Sequence, residues 1–287
     1  GRCHGLAGAA AAAERGVIGA ARSRLSAARY ALPGLVERHV AGPGVAETAR
    51  LCTRLHAAGF AVTTGYFNAA GAAPLAIAAT YAQLAEALTR QGVDAYLSVK
   101  APQLQFAEGA LAAIAAAGLP LVLDAHAPAQ ADATLALAQG RHGVVLPARW
   151  QRSVDDAERL RDAPVRLRLV KGEWADPEAD PADRSAAYLT LVTALAGRGA
   201  PVAVATHDPE LAARALTLLL KAGTPAELEQ LRGLPRRRTV ALARALGVPV
   251  RVYVPFGPGW WPYALDQALA RPWLPAWWLR DRFSRPG

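Results

Sequence analysis

The stretch VRLRLVKGEW, residues 165–174, threads two arginines through an apolar run and follows it with a lysine. Its aliphatic, β-branched content reads as a buried strand. A buried cation is costly unless it is paired or used, so Arg166 and Arg168 need partners. Other chemistry-bearing residues also end apolar runs. Lys100 closes LSVK. Asp124 closes LVLD, with His126 two residues on. Thr206, His207 and Asp208 close VATHD. Glu227 and Glu229 lie in AELEQ. Arg251 and Tyr253 lie in RVYVPFG, ahead of Gly257, Gly259, Trp260, Trp261 and Tyr263. Each alone has a plain structural reading, as an interior ion pair, a hydrogen-bonded histidine or a packed aromatic. Together, polar groups on at least five strand ends point to a pocket.

The motifs narrow the chemistry. HExxH, GxSxG and GxxxxGK[ST] are absent, and His126 and His207 are too few for a histidine-rich metal centre, so no metal is expected. Two lysines at strand ends would suit a Schiff-base aldolase, which needs a desolvated lysine. Arginines with aromatics would suit a flavin or another large anionic cofactor, whose reduced ring a guanidinium stabilises. The residue types alone leave both open.

These groups need elements to position them. Apolar runs occur at Phe60–Tyr66, Ala95–Val99, Leu119–Asp124, Gly143–Leu146, Val165–Val170, Pro201–Thr206 and Val248–Val254, with a weaker one at Ala226–Gln230. Helical patterns lie between them, at Leu75–Arg90, Ala107–Ala117, Asp132–Gln139, Ser153–Arg161, Arg184–Ala196, Pro209–Ala222 and Arg237–Leu246. Asp132 is the expected N-cap of its helix. The alternation predicts a parallel sheet closed into a (β/α)8 TIM barrel, with its active site at the C-terminal strand ends. The open doubly wound sheet is the alternative, but the first run ends in TTGYFNAAG rather than GxGxxG. The expected plan is a single domain over 1–287: a helical lead-in over 1–45, the barrel over 46–270 and a Trp-rich closing helix over 271–287.

Composition sets the remaining bounds. The net charge is +9, but the arginines are scattered, and the run Arg236, Arg237, Arg238 reads as a solvated loop, so nucleic acid is not an expected partner. Cys3 and Cys52 are the only cysteines. They form no disulfide framework, and a cytoplasmic setting is expected. No apolar stretch is long enough to span a membrane. The start, GRCHGLAGAAAAAERG, lacks the leucine-rich core of a signal peptide and reads as a helix. The segment PWLPAWWLRDRF reads as a cap on the barrel, with weak contact to a membrane surface as the other reading. Only Lys100, Lys171 and Lys221 are lysines, and two of them follow strand runs.

Several motifs resemble the proline dehydrogenase family. RLVKGEW (168–174) is similar to its RLVKGAY, LSVK (97–100) to its second-strand motif, and LVLDAH (121–126) to its aspartate-bearing third strand. VATHD (204–208) resembles ATHN or ATHD, AELEQLRGL (226–234) resembles FEFQMLYGM, and RVYVPFGPGWWPY (251–263) resembles RVYVPYGxxWYPY. The resemblance implies a distorted (β/α)8 barrel that binds FAD without a Rossmann fingerprint. It implies an oxidoreductase moving a hydride from the amine-bearing carbon of a small amine to flavin N5, with electrons passing to a quinone or another acceptor. Arg168 would then sit at the N5 edge. Val170, Lys171, Gly172, Glu173 and Trp174 would follow the cofactor, and Thr206, His207 and Asp208 would hold its ribityl–pyrophosphate part. Asp124 would lie beneath the ring and pair with Arg168. Lys100 would meet the substrate, with Tyr253 and Tyr263 as walls. Arg168, Asp124 and Lys100 would carry the catalytic roles.

The sequence also departs from that pattern. The family's YxxRR, whose arginines clamp a carboxylate, is YALDQALA here, so Asp266 and Gln267 stand in the substrate-facing positions. Ala270 replaces a glutamate, Pro147 a flavin-contacting glutamine, Gly65 a frequent aspartate and Trp174 a tyrosine. The expected substrate is therefore a proline-related amine other than free L-proline. The alternatives are a catalytically idle barrel acting as a binding partner, and a Schiff-base lysine barrel of the aldolase type.

Overall fold

The structure is a computed structural model that describes residues 44–260 and Ala276. The expected lead-in ahead of residue 44 and, Ala276 apart, the Trp-rich closing helix lie outside the described residues, as do Tyr263, Asp266, Gln267 and Ala270. Within them the chain runs α1 (Val45–Ala57), β1 (Ala61–Tyr66), α2 (Pro74–Arg90), β2 (Ala95–Lys100), α3 (Glu108–Ala115), β3 (Leu121–Asp124), α4 (Ala131–Ala138) and β4 (Gly143–Pro147). It continues with α5 (Ser153–Arg159), β5 (Leu167–Val170), α6 (Arg184–Ala194), β6 (Val202–Ala205), α7 (Pro209–Lys221), β7 (Ala226–Leu231), α8 (Arg237–Ala245) and β8 (Val250–Phe256). Each strand pairs in parallel with the next, and β8 pairs with β1, so the sheet closes into the barrel the alternation predicts. The open sheet is excluded.

Local chemistry explains the helices. In α2, Pro74 opens the helix, where its missing N–H and fixed φ cost least. Ile77, Tyr81, Leu84, Ala85 and Leu88 recur at helical spacing and are buried. Gly92, at φ +62°, ends it. The Asp183 carboxylate caps α6 by accepting from Ser185 N (2.9 Å) and Ala186 N (3.0 Å). The expected cap at Asp132 is corrected. A 3-10 turn over Pro128–Gln130 starts the coil earlier, so Gln130 occupies the cap position. Asp132 lies in the first turn and accepts from Arg152 Nη2 at 2.5 Å.

The main core lies between the outer face of the strands and the helices. Helix α1 adds Ala49 and Cys52 to a second cluster with Val62, Val252, Val254 and Phe256, sealing the junction of β1 and β8. Two buried tyrosines tie helices to strand ends. Tyr81 Oη on α2 donates to Ser98 O at 2.6 Å and accepts from Tyr66 N at 3.0 Å. Tyr188 Oη on α6 donates to Leu169 O at 3.0 Å. Each contact fixes backbone one or two residues from the mouth.

The interior is ionic rather than purely aliphatic. In the lower tier Arg166 and Arg251 both engage the carboxylate of Glu227, Arg251 Nε at 2.8 Å. The Tyr96 ring lies against both guanidiniums, 4.3 and 4.5 Å from its centroid. Arg251 Nη1 also donates to Val62 O at 2.7 Å, and Nη2 reaches Asp94 Oδ1 at 2.9 Å. The structural ion pair that a buried Arg166 requires is therefore present. Removing the shared carboxylate would strand buried cations, so Glu227→Gln should lower stability by about 3–5 kcal/mol. Urea unfolding monitored by circular dichroism checks this, and a loss within experimental error would show that the tier holds nothing together.

Candidate active site

The upper tier is built around Arg168, the inward-facing residue next above Arg166. Its Nη1 donates to Ser98 Oγ on β2 at 3.1 Å and lies 3.3 Å from Glu229 Oε1 on β7. Its Nη2 lies 3.9 Å from Asp124 Oδ2 on β3. The Tyr253 ring centroid on β8 is 5.1 Å from the guanidinium carbon. Burial works against the Arg168 charge, but Glu229, Tyr253 and Asp124 outweigh it and hold its pKa above the ordinary arginine range. One donor, Arg168 Nε, is buried with no hydrogen-bond partner.

Above this tier, Lys100 stands beside Asp124, its register partner across β2 and β3. Lys100 Nζ donates to Tyr66 O at 3.1 Å and sits 3.5 Å from the Phe67 ring centroid. Burial, aided by the nearby Arg168 charge, pushes its pKa down to about 7, against the pull of Asp124 and Glu173. His126 holds φ +65°, uncommon for a side-chain-bearing residue. Its N–H donates to Asp124 Oδ1 at 3.2 Å, and its ring stacks on Trp174 with centroids 6.3 Å apart. Burial lowers its pKa too.

The loop after β5 is stitched to the loop after β4. Gly172 adopts φ +90°, and a Cβ there would come within 2.8 Å of Arg149 Cβ and 3.1 Å of Pro147 Cβ, so glycine is required. Arg149 pairs with Asp180 and donates to Glu173 O at 2.6 Å. Trp150 Nε1 donates to Trp174 O at 3.0 Å, and Trp174 is 54% exposed at the mouth. Lys171 Nζ lies 3.4 Å from Asp208 Oδ2. Asp208 also caps α7, its Oδ1 accepting from Glu210 N and Leu211 N. Thr206 is buried and accepts from Asp208 N through its hydroxyl, at 3.3 Å. Both His207 ring nitrogens have protein partners, Nδ1 with Pro235 O at 2.7 Å and Nε2 with Leu231 N at 3.0 Å. A ring bonded in this way orients the β6 and β7 ends.

Strand β1 contributes by omission. A side chain at Gly65 would overlap the Tyr253 hydroxyl and come within 2.7 Å of its Cζ. The aspartate often found at that strand end could not coexist with this Tyr253 rotamer. Burial raises the Tyr253 pKa to about 12, so the phenol stays protonated.

The structure thus brings Lys100, Asp124, Arg168 and Tyr253 together at the C-terminal ends of the strands. It puts Val170, Lys171, Gly172, Glu173 and Trp174 on one adjoining segment and Thr206, His207 and Asp208 on the next. Two contributors, Ser98 and Phe67, were not singled out from sequence, and Glu229 was named there among the charged strand residues without an individual role. For Glu229 a signal existed, since its spacing from Glu227 repeats that of Arg168 from Arg166 and of Tyr253 from Arg251.

A parallel (β/α)8 barrel with titratable side chains converging at the C-terminal strand ends defines the architecture of a barrel enzyme site. No family model matches the sequence. Proline dehydrogenase 1 of Bacillus subtilis is 32% identical over 137 residues, 45% of this chain and 45% of that protein. The proline dehydrogenase of Deinococcus radiodurans is 34% identical over 128 residues, 42% of this chain and 41% of that protein. The matched stretches thus span somewhat under half the length of these relatives. Proline utilization A from Bdellovibrio bacteriovorus, solved after inactivation by N-propargylglycine, superposes with a TM-score of 0.68 at 18% identity. That match covers 85% of this chain and 33% of the larger one, and it concerns the fold alone. The sequence matches liken part of this chain to proline dehydrogenases, and the barrel is the fold it shares with proline utilization A.

Two outcomes check this geometry. Gly65→Ala should cost about 1–3 kcal/mol by displacing Tyr253. In a Tyr253→Ala background the same change should cost little, so an unchanged penalty in the double-mutant cycle would refute the contact. Lys100 titrates near 7 in the folded chain and near 10.5 when unfolded. Between those values the unfolded chain holds the extra proton, so stability should rise with pH by up to about 1.4 kcal/mol per unit from this group. Lys100→Met should flatten that rise in urea midpoints measured from pH 7 to 10.5; parallel curves would show an ordinary lysine.

Proposed function

We propose that the protein is an FAD-dependent oxidoreductase of the proline dehydrogenase type, acting on a small amine. The observation that carries the reading is Arg168: a buried guanidinium at the mouth, held by carboxylates yet left with an unpartnered Nε donor. An orphaned buried donor costs about 1–3 kcal/mol unless something accepts from it, and an electron-rich ring nitrogen or carbonyl of a flavin fits that need. Gly172 lets the segment after β5 pack closely over Arg149 and Pro147 beside it. The partial sequence likeness to proline dehydrogenases supports the same group.

In this reading Arg168, Val170, Lys171, Gly172, Glu173, Trp174 and Thr206 hold FAD, with His207 and Asp208 positioning the strand ends around it. When bound, FAD supplies acceptance of a hydride from the amine-bearing carbon. A quinone or another acceptor would be the final taker of the electrons. Arg168 and Asp124 fix charge at the ring. The Lys100 amine, about half unprotonated at pH 7 because of burial, can in that form take a proton at Nζ from a substrate ammonium, since only the neutral amine donates a hydride readily. Tyr253 walls the substrate in this reading. With Asp266 and Gln267 in place of a paired-arginine clamp, the substrate is a proline-related amine other than free L-proline.

Purified protein supplied with FAD should show a flavin absorption spectrum that bleaches when a cyclic secondary amine is added anaerobically. Failure to retain FAD would favour an idle binding barrel. Borohydride trapping of a carbonyl compound on Lys100 would instead establish the aldolase-type reading, to which the lowered lysine pKa lends its only support.

A further inference from the structure

We propose that Glu229 determines substrate class: by occupying Arg168, it tunes the mouth for cationic amines that lack a carboxylate. This rests on the amine-oxidation reading and deepens it.

Glu229 lies on the inward face of β7 and is 3% exposed. Its Oε1 is 3.3 Å from Arg168 Nη1, closer than the 3.9 Å between Asp124 and Nη2. One guanidinium therefore faces two carboxylates. The other charged groups around it are few among the described residues. Lys100 carries a fractional charge near pH 7, and its Nζ is already turned to Tyr66 O and the Phe67 face. Lys171 is turned to Asp208. His126, buried between Asp124 and Trp174, is kept largely neutral. Glu173 adds negative charge at the rim.

With Arg168 counted as +1 and Asp124 and Glu229 as −1 each, the balance is negative before the partial charge of Lys100 is added. A substrate carboxylate would be a third anion competing for one guanidinium in a desolvated site, where like charges repel strongly. An ammonium without a carboxylate meets the opposite field. Glu229 touches neither partner in this reading. It acts through Arg168 and is a specificity-positioning residue.

The experiment compares pyrrolidine with L-proline, the same ring without and with a carboxylate. Binding to the FAD-loaded protein, its flavin first reduced with dithionite so that no hydride can transfer, is measured anaerobically by isothermal titration calorimetry. The wild type should bind pyrrolidine more tightly. Glu229→Gln, nearly isosteric but neutral, should shift the affinity ratio toward L-proline by about tenfold or more, the change expected for removing one close charge. Glu229→Asp should keep the wild-type preference. An unchanged ratio in Glu229→Gln overturns the proposal, because loss of packing alone would weaken both ligands together. Tighter binding of L-proline by the wild type overturns it without any variant, so a misfolded mutant does not leave the question open. Absence of FAD from the protein sinks the amine-oxidation reading instead, and a flavoprotein that prefers L-proline sinks only this one.

Discussion

The cost of burying cations organises this molecule. Arginines on β5 and β8 point into a closed barrel where water cannot solvate them, so the fold requires carboxylates on strands that face the same interior at matching heights. Strand β7 supplies them at both heights, Glu227 below and Glu229 above. A buried pair of this kind is a weak source of net stability but a strong constraint on register, because a one-residue slip would put every charge on the outer, aliphatic face.

The two tiers have different consequences. In the lower one Glu227 is shared by Arg166 and Arg251, Tyr96 is flanked by both guanidiniums, and Arg251 reaches the backbone of β1. The upper one is incomplete, with Arg168 Nε lacking a partner and Lys100 held far from its ordinary pKa by burial. Unfinished hydrogen bonding and a perturbed amine at the same barrel mouth mark the end that meets a ligand. The lower tier then serves as a rigid floor.

Around the mouth, precision comes from contacts that leave no room. Tyr253 reaches the wall of β1 only because position 65 has no side chain, and the segment after β5 turns over Arg149 and Pro147 only because position 172 has none. Tyr81 and Tyr188 pin strand backbone just below. Departures from the family pattern at positions 65 and 147 are thus packed against site elements.

Much of this was legible in the chain. The alternation of apolar runs and helical patterns determined the barrel, because a parallel strand needs a crossover and a crossover helix needs an apolar stripe. Element limits moved by a few residues where local turns intervened, as when the Pro128–Gln130 turn displaced Asp132 from its cap. Residue types at strand ends were enough to single out Lys100, Asp124, Arg168 and Tyr253, since a charge in an apolar run always requires an explanation. Which carboxylate serves which arginine was not written there. Glu229 lies 61 positions from Arg168 and Ser98 lies 70 from it, and only closure of the barrel brings them within bonding distance. Likewise the meeting of Gly65 with Tyr253 depends on β8 pairing beside β1. The sequence determined the cast of ionisable groups and the fold that carries them. The tertiary structure decided their pairing and protonation, because both depend on distance and desolvation rather than on order along the chain.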